Sequence, residues 1–229
     1  MFLKEIKVIA FDADDTLWVN EPYFRDAEAA FCFLLKDYLP EAECNRLLFD
    51  MEMKNLPLYG YGIKPFVLSL IEAAISISDG KIPIAIVSQL IDLGKEMLQK
   101  PLELLDGIEG TLIGLSKKYT LVVATKGDLL DQERKLIRSG LEGYFHHIEV
   151  MSDKQVKNYE KLIRHLDIQP EELLMVGNSL KSDILPVLET GASAVHIPFH
   201  TTWEHEQVKE PVIHSKFMEL TMASELLQL

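Results

Sequence analysis

The stretch Lys7-Val8-Ile9-Ala10-Phe11-Asp12-Ala13-Asp14-Asp15-Thr16 decides the fold. Its first half is a short apolar run, β-branched at its start and ending in a polar cluster. That is the pattern of a buried strand running into a loop. Two carboxylates two residues apart at a strand end can both face a bound ligand if the chain leaves the strand between them. One can attack a phosphorus atom, and the other can donate a proton to the leaving oxygen. Three clustered acids also suit a divalent cation, and a hard ion with oxygen ligands is Mg2+. A solvated acidic turn is the competing reading of the acidic pentapeptide alone.

Similar apolar runs come late in the chain, at residues 120–125, 173–177 and 194–198, with a weaker one at 147–151. Helical patterns separate them. Asp128 begins one, with Leu129, Leu130, Glu133, Leu136 and Ile137 at helical spacing and Gly140 as its stop. Asp153 begins another, with Val156, Tyr159, Leu162, Ile163 and Leu166 on one face, and a third follows Ser182 and ends at Gly191. Strands alternating with helices of this length imply a parallel sheet with helices on both faces. Right-handed crossovers then bring all C-terminal strand ends to one edge, outside which ligands bind. The expected fold class is α/β, a three-layer Rossmann-like core carrying an inserted all-helical domain. From Lys216 onward the chain reads as a short strand or turn, then a helix covering the sheet.

The segment from about Glu21 to Leu105 lacks strand-like alternation and holds four helical patterns. Pro22 starts the first, Pro40 precedes the second, and Pro65 and Pro83 start the third and fourth. Proline is tolerated in a first turn, where its missing N–H has no partner in any case. The expected division is a core of residues 1–18 and 106–229 and a helical domain of residues 19–105. The breaks fall at 55–62 and 78–80. The loop Leu56-Pro57-Leu58-Tyr59-Gly60-Tyr61-Gly62 is either an ordinary interhelical turn or a segment that faces the catalytic edge and helps select a leaving group.

With 229 residues, 48% of them hydrophobic, the chain is long and apolar enough to bury a sizeable core, which excludes the disordered and low-complexity classes. Its 36 acidic against 23 basic residues leave a net charge of −13, which repels phosphate backbones and argues against a nucleic-acid partner. A small phosphorylated substrate then needs a local cationic pocket or a metal. Cys32 and Cys44 are too few for a disulfide framework and read as buried packing. The start Met1-Phe2-Leu3-Lys4-Glu5 is charged where a signal peptide needs an apolar core, and no run approaches the ~18 apolar residues of a membrane span. A cytoplasmic protein without a membrane partner is expected. Oligomeric state is not readable from the sequence.

Three further features sit at predicted strand ends. Thr125-Lys126-Gly127 offers a hydroxyl and backbone N–H groups at a helix start, an anion cradle, or a plain capped turn. Lys154, with Lys157 as its rival one turn further on, can neutralise phosphate oxygens and a nucleophilic carboxylate. Gly177-Asn178-Ser179-Leu180-Lys181-Ser182-Asp183 places Asn178 and Asp183 within reach of the sheet edge, where an acid can complete a metal shell or a loop can simply cap a helix. The run His200-Thr201-Thr202-Trp203-Glu204-His205-Glu206 also begins on that edge, as a rim loop or, less in keeping with its composition, a transition-metal site. Trp18 and Trp203 are candidates to line the entrance or to pack.

Taken together and in this order, these features resemble the haloacid dehalogenase superfamily of hydrolases, over nearly the whole chain to about Pro198. The family's Asp-x-Asp-x-Thr motif is matched by Asp12, Asp14 and Thr16. Its strand-ending Thr or Ser is matched by Thr125, its basic residue by Lys154, and its Gly-Asp-x-x-x-x-Asp motif by Gly177, Asn178 and Asp183. Two positions depart from the pattern: Asn178 stands where Asp is common, and Asp15 where glycine is common.

The resemblance implies Mg2+-dependent hydrolysis of a small phosphomonoester, with the helical insert as a cap. Asp12 would attack phosphorus, and Asp14 would protonate the leaving group and then activate water. Thr125, the Lys126 N–H and Lys154 would hold the phosphoryl oxygens, with Ala13 and Thr16 in the substrate-binding set. Mg2+ would be held by Asp12, the Asp14 backbone carbonyl and Asp183, and Asn178 would bind through water or orient. The alternatives are a 2-haloacid dehalogenase, which needs neither a second acid nor a metal, a phosphomutase, which needs a further acid or base from the cap, and a non-catalytic phosphate-binding protein.

Overall fold

Along the central strands, alternate side chains are buried on opposite faces. Ile9, Phe11, Leu121, Val123, Leu174 and Val176 enter one apolar cluster, and Val8, Ala10, Val122, Ala124, Leu173 and Met175 the other. Strands buried on both faces need helices on both sides, as a parallel sheet supplies. Full burial of a side chain such as Ile9 or Phe11 stabilises by roughly 1.5–3 kcal/mol.

The computed structural model describes residues 4–229, so Met1, Phe2 and Leu3 of the charged N-terminal stretch lie outside it. In chain order it contains β1 (Val8–Phe11), α1 (Glu21–Leu34), α2 (Glu41–Tyr59), α3 (Ile63–Ile77), α4 (Ile84–Gln99), α5 (Ile108–Leu115), β2 (Thr120–Lys126), α6 (Leu129–Arg138), β3 (His147–Met151), α7 (Val156–His165) and β4 (Leu173–Gly177). A π-helical turn, Leu180–Ile184, runs into α8 (Leu185–Glu189), followed by β5 (Ser193–His196) and β6 (Phe217–Glu219). All pairings are parallel in the order β3-β2-β1-β4-β5-β6. β1 is central, with Phe11 opposite Val123 on one side and Val176 on the other. The strand order reverses there, which opens a crevice beyond the carboxyl end of β1.

The chain divides into two compact units, Pro22–Pro101 and the remainder. In the sheet unit, α5, α6 and the C-terminal turn Ala223–Gln228 pack on one face through Leu112, Leu136 and Leu226, and α7 and α8 on the other through Leu162 and Val187. Helix α5 has no counterpart among the expected helices. Its two glycines weaken the pattern, yet Gly114 has a use: a Cβ there would lie 2.4 Å from a Leu227 methyl. The face of α6 also differs from expectation, since Leu129, Leu130 and Ile137 are exposed while Asp131, Gln132 and Leu136 are buried.

The helical unit has its own core, built around Phe31, Leu35, Leu48, Leu70 and Leu90. Cys32 and Cys44 are buried free thiols within it. Helix α2 continues through Pro57, in its last turn, to Tyr59, so the break before α3 is only Gly60, Tyr61 and Gly62, with both glycines at positive φ. The Tyr59 hydroxyl donates to Glu72 of α3 at 2.7 Å, a contact that ties two helices of the bundle. Among the described residues no helix is long and apolar enough to cross a membrane.

Candidate active site

The backbone N–H of Asp12 still bonds across to Val176 at 2.9 Å, so this carboxylate is carried by the sheet itself. The chain then turns sharply, with Leu17 N–H on the Ala13 carbonyl at 2.8 Å and Asp15 N–H on the Trp18 carbonyl at 2.7 Å. Asp15 takes the left-handed conformation this turn demands, φ 59°, at the position where glycine is common in the motif. Aspartate tolerates that region better than most residues. Its side chain accepts from the backbone N–H groups of Asn20 at 2.8 Å and Glu21 at 2.9 Å, where α1 begins.

Lys154 is buried between two acids. Its Nζ donates to Asp12 Oδ1 at 2.5 Å and to Asp183 Oδ1 at 2.6 Å. Lys157, the rival for this place, is exposed. Burial raises the Asp12 carboxyl to about 7, with Lys154 pulling it down and Asp183 pushing it up. Burial also opposes the charge on Lys154, but the two carboxylates outweigh it and hold the amine above its usual value. The Thr16 hydroxyl lies between Asp12 Oδ2 at 3.3 Å and the Asn178 side-chain oxygen at 3.2 Å.

Asp14 has a separate set of partners. Its Oδ1 accepts from the Trp18 indole at 2.7 Å and from Lys135 at 3.0 Å, and its Oδ2 from Gln132 at 2.8 Å. Burial pushes its pKa up, but Lys135 and these hydrogen bonds prevail and bring it below the usual value. Lys135 also reaches Asn20 at 2.9 Å, and Gln132 holds the Thr125 hydroxyl at 3.1 Å. Trp18 therefore packs, fully buried, and serves the site at once. Gln132 and Lys135 were not among the expected site residues. Their i, i+3 spacing on α6 puts them on one helix face, but the apolar pattern of that helix pointed elsewhere.

At the end of β4, Gly177 is required by close approach: a Cβ there would lie 2.3 Å from Asp183 Oδ2. Asp183 is almost fully buried, with Oδ1 on Lys154 and Oδ2 accepting the Ser179 N–H at 3.0 Å. Asn178 is only half-buried. Thr125 is buried at the end of β2, and the Lys126 side chain turns to Ser182 at 2.9 Å and Glu206 at 2.6 Å. Among the described residues no three His, Cys, Asp or Glu side chains converge as a metal site, the histidine run included.

The carboxyl of Asp15 gives a testable pH dependence. Burial pushes its carboxyl to about 8, above its unfolded value. A raised acid stabilises the fold while protonated, and that contribution is lost as pH rises from its unfolded value through about 8. Asp15→Asn keeps an acceptor oxygen but removes the titration. The fall in unfolding free energy between pH 5 and pH 8, read from urea titrations, is expected to shrink by up to about 1.4 kcal/mol per pH unit. An unchanged fall would show that Asp15 does not titrate in this range.

The chain is similar to known proteins over most of its length. The family model of haloacid dehalogenase-like hydrolases matches residues 6–187. The chain is 34% identical to a haloacid dehalogenase-like family hydrolase of known structure from Xanthomonas campestris, with a TM-score of 0.87 over 98% of this chain and 90% of that one. It is 26% identical over 236 residues to the glyceraldehyde 3-phosphate phosphatase of Methanothermobacter thermautotrophicus, covering 98% of each. It is also 26% identical over 240 residues to the N-acylneuraminate-9-phosphatase of Mus musculus, covering 100% of this chain and 94% of that one.

Proposed function

The chain belongs to the haloacid dehalogenase-like hydrolases, and on that premise we propose that it is a Mg2+-dependent phosphatase of small phosphomonoesters that works through an aspartyl phosphate. The observation that carries this reading is the separation of the two acids. Asp12, at the end of β1, sits on Lys154, and Asp14, two residues on, sits on Lys135. Two carboxylates held by different cations can take different parts, one as nucleophile and one as acid and base. Two relatives matched over nearly their whole length carry phosphatase names.

In this reading an oxygen of Asp12 forms a bond to phosphorus as the bond to the leaving oxygen breaks. Asp14 protonates that oxygen. It then takes a proton from water, whose oxygen attacks phosphorus, and the bond to Asp12 breaks to release phosphate. Lys154 offsets charge on the nucleophile and the phosphoryl group. Thr125, the Lys126 N–H, Ala13 and Thr16 line the phosphoryl site, and Gln132, Trp18 and Lys135 hold Asp14. Such chemistry is largely positioning and charge neutralisation.

The donor set suits Mg2+, which asks for only one or two carboxylates and keeps waters and substrate oxygens as its other ligands. Asp12 Oδ2 and the half-buried Asn178 oxygen, which share only the Thr16 hydroxyl, and the Asp14 backbone carbonyl are the donors that would hold it. Asp183, expected from the sequence to be the direct ligand, has both oxygens engaged, and its part in this reading is to hold Lys154. When bound, the ion would neutralise phosphoryl charge. The helical unit is proposed as the cap that selects the leaving group.

A panel of phosphorylated metabolites assayed with Mg2+ tests the proposal. At least one is expected to be hydrolysed, EDTA to silence the reaction, and Mg2+ to restore it. Asn178→Ala is expected to raise the Mg2+ requirement. Absence of hydrolysis across the panel would overturn the phosphatase reading, and turnover undiminished in EDTA would overturn the metal.

A further inference from the structure

The connection from β5 to β6, residues 197–216, joins two parallel strands yet carries no helix beyond the single turn Glu204–Glu206. Long connections without a helix of their own are usually functional. Among its ties to the carboxyl edge of the sheet are two made by the turn Glu204–Glu206. Lys181 donates to the His205 carbonyl at 2.7 Å. The other contact is the Glu206 side chain, only 11% exposed, which accepts from Lys126 Nζ at 2.6 Å, from Ser182 Oγ at 2.6 Å and from Ser179 Oγ.

Each of those three partners is the immediate neighbour of a residue already placed in the site. Lys126 follows Thr125, Ser179 follows Asn178, and Ser182 precedes Asp183. The first stands at the end of β2 and the other two follow β4, the strands that flank β1 and its Asp12. One carboxylate therefore cross-links the two loops across the end of the central strand. It also orients the Ser179 hydroxyl, which donates to Glu206 while accepting the Ser182 N–H at 3.0 Å.

We infer that Glu206 is a positioning residue for hydrolysis, a carboxylate clasp that sets the spacing between the phosphate-binding end of β2 and the loop after β4, and that the cradle it fills binds a small free carboxylate once its side chain is removed. The inference rests on the phosphatase reading for its effect on rate but not for the cradle itself. Burial opposes the charge on Glu206, yet Lys126 and the two serines prevail and hold its carboxyl down at about 2, as a tightly seated anion requires. Glu206 is not placed on the substrate, so its loss should act on kcat more than on KM.

The test compares wild type, Glu206→Ala, Glu206→Gln and Glu204→Ala, the last removing an exposed neighbour. Sodium formate is the probe, with sodium chloride at equal ionic strength as control. Formate is expected to raise the melting temperature of Glu206→Ala and not that of wild type, because only the variant has an empty cradle. With a hydrolysed ester, Glu206→Ala is expected to lose about 10²-fold in kcat, the scale of a misplacement of about 1 Å. Formate should restore part of that loss. Glu206→Gln, which fits the space without the charge, should fold and lose kcat without rescue by formate, and Glu204→Ala should match wild type. If formate leaves the stability and rate of Glu206→Ala unchanged, or if Glu206→Gln and Glu206→Ala turn over at the wild-type rate, the clasp is wrong. If Glu206→Ala does not fold, the rate of Glu206→Gln decides. A wild type that hydrolyses no ester overturns the phosphatase reading instead, and the formate-dependent stability still decides the cradle.

Discussion

Asp12→Asn is expected to abolish turnover and to leave the chain folded. An amide cannot form the acyl phosphate, so the loss in kcat should be on the order of 10⁵-fold or more, the scale found when a covalent nucleophile is removed. The fold should survive because Lys154 keeps Asp183 as its partner at 2.6 Å. The single amide oxygen of Asn can still accept from Lys154, and its NH2 can donate to the Thr16 hydroxyl. Stability should in fact gain at high pH. The Asp12 carboxyl, raised to about 7 by burial, favours the fold when protonated and loses that contribution as pH rises from its unfolded value through about 7. Asn has no such titration. Urea midpoints for the variant should therefore equal or exceed those of wild type at pH 8, with a smaller fall between pH 5 and pH 8. A variant that still turns over at the wild-type rate would remove Asp12 from the chemistry. One that is inactive and also unfolded would leave the role of the nucleophile to be read from a trapped phosphoenzyme in wild type.

The parts of the site carried by strands were legible in the sequence, because a buried strand in a parallel sheet is a nearly continuous apolar run and ends where polar residues begin. That rule put Asp12, Thr125 and Asn178 at strand ends, and their part in a site came from the resemblance to the family. The partners of Asp14 were not legible. Gln132 and Lys135 lie on the side of α6 that faces the site, where polar residues replace the apolar stripe that marks a buried helix face. Leu129, Leu130 and Ile137 made the opposite side look buried, and it is exposed. Trp18 was visible only as an aromatic with two possible uses. Nothing local distinguishes Glu206 from the exposed Glu204 two residues earlier, since what separates them is the position of Lys126, 80 residues back in the chain. Asp15 is a milder case. Its place in the motif was plain, but only the φ of 59° and the N–H groups of Asn20 and Glu21 show that its carboxyl serves the turn.

Lys154 separates the two readings that sequence left open at its position, and its removal should have the largest effect on stability. Lys154→Met fills most of the volume but leaves Asp12 and Asp183, each now within 2.6 Å of one ammonium, facing one another with no cation between them. Removing one partner of a buried ion pair typically costs about 3–5 kcal/mol, because the charge left behind stays desolvated. Here two are left, so one carboxyl is expected to take up a proton and lose its charge. The sign of the pH effect follows. Both acids are more easily protonated in the folded variant than in the unfolded chain, so the variant binds extra protons on folding and loses stability as pH rises. The gap between wild type and variant should be small near pH 5 and approach the full cost near pH 8. Turnover should fall as well, since the variant has no ammonium beside Asp12 to offset charge on the phosphoryl group. Lys157→Met, on the exposed face of α7, should change neither quantity. Equal urea midpoints for wild type and Lys154→Met at pH 8 would mean that the two acids are solvated in solution and that the lysine bridge does not hold the site together.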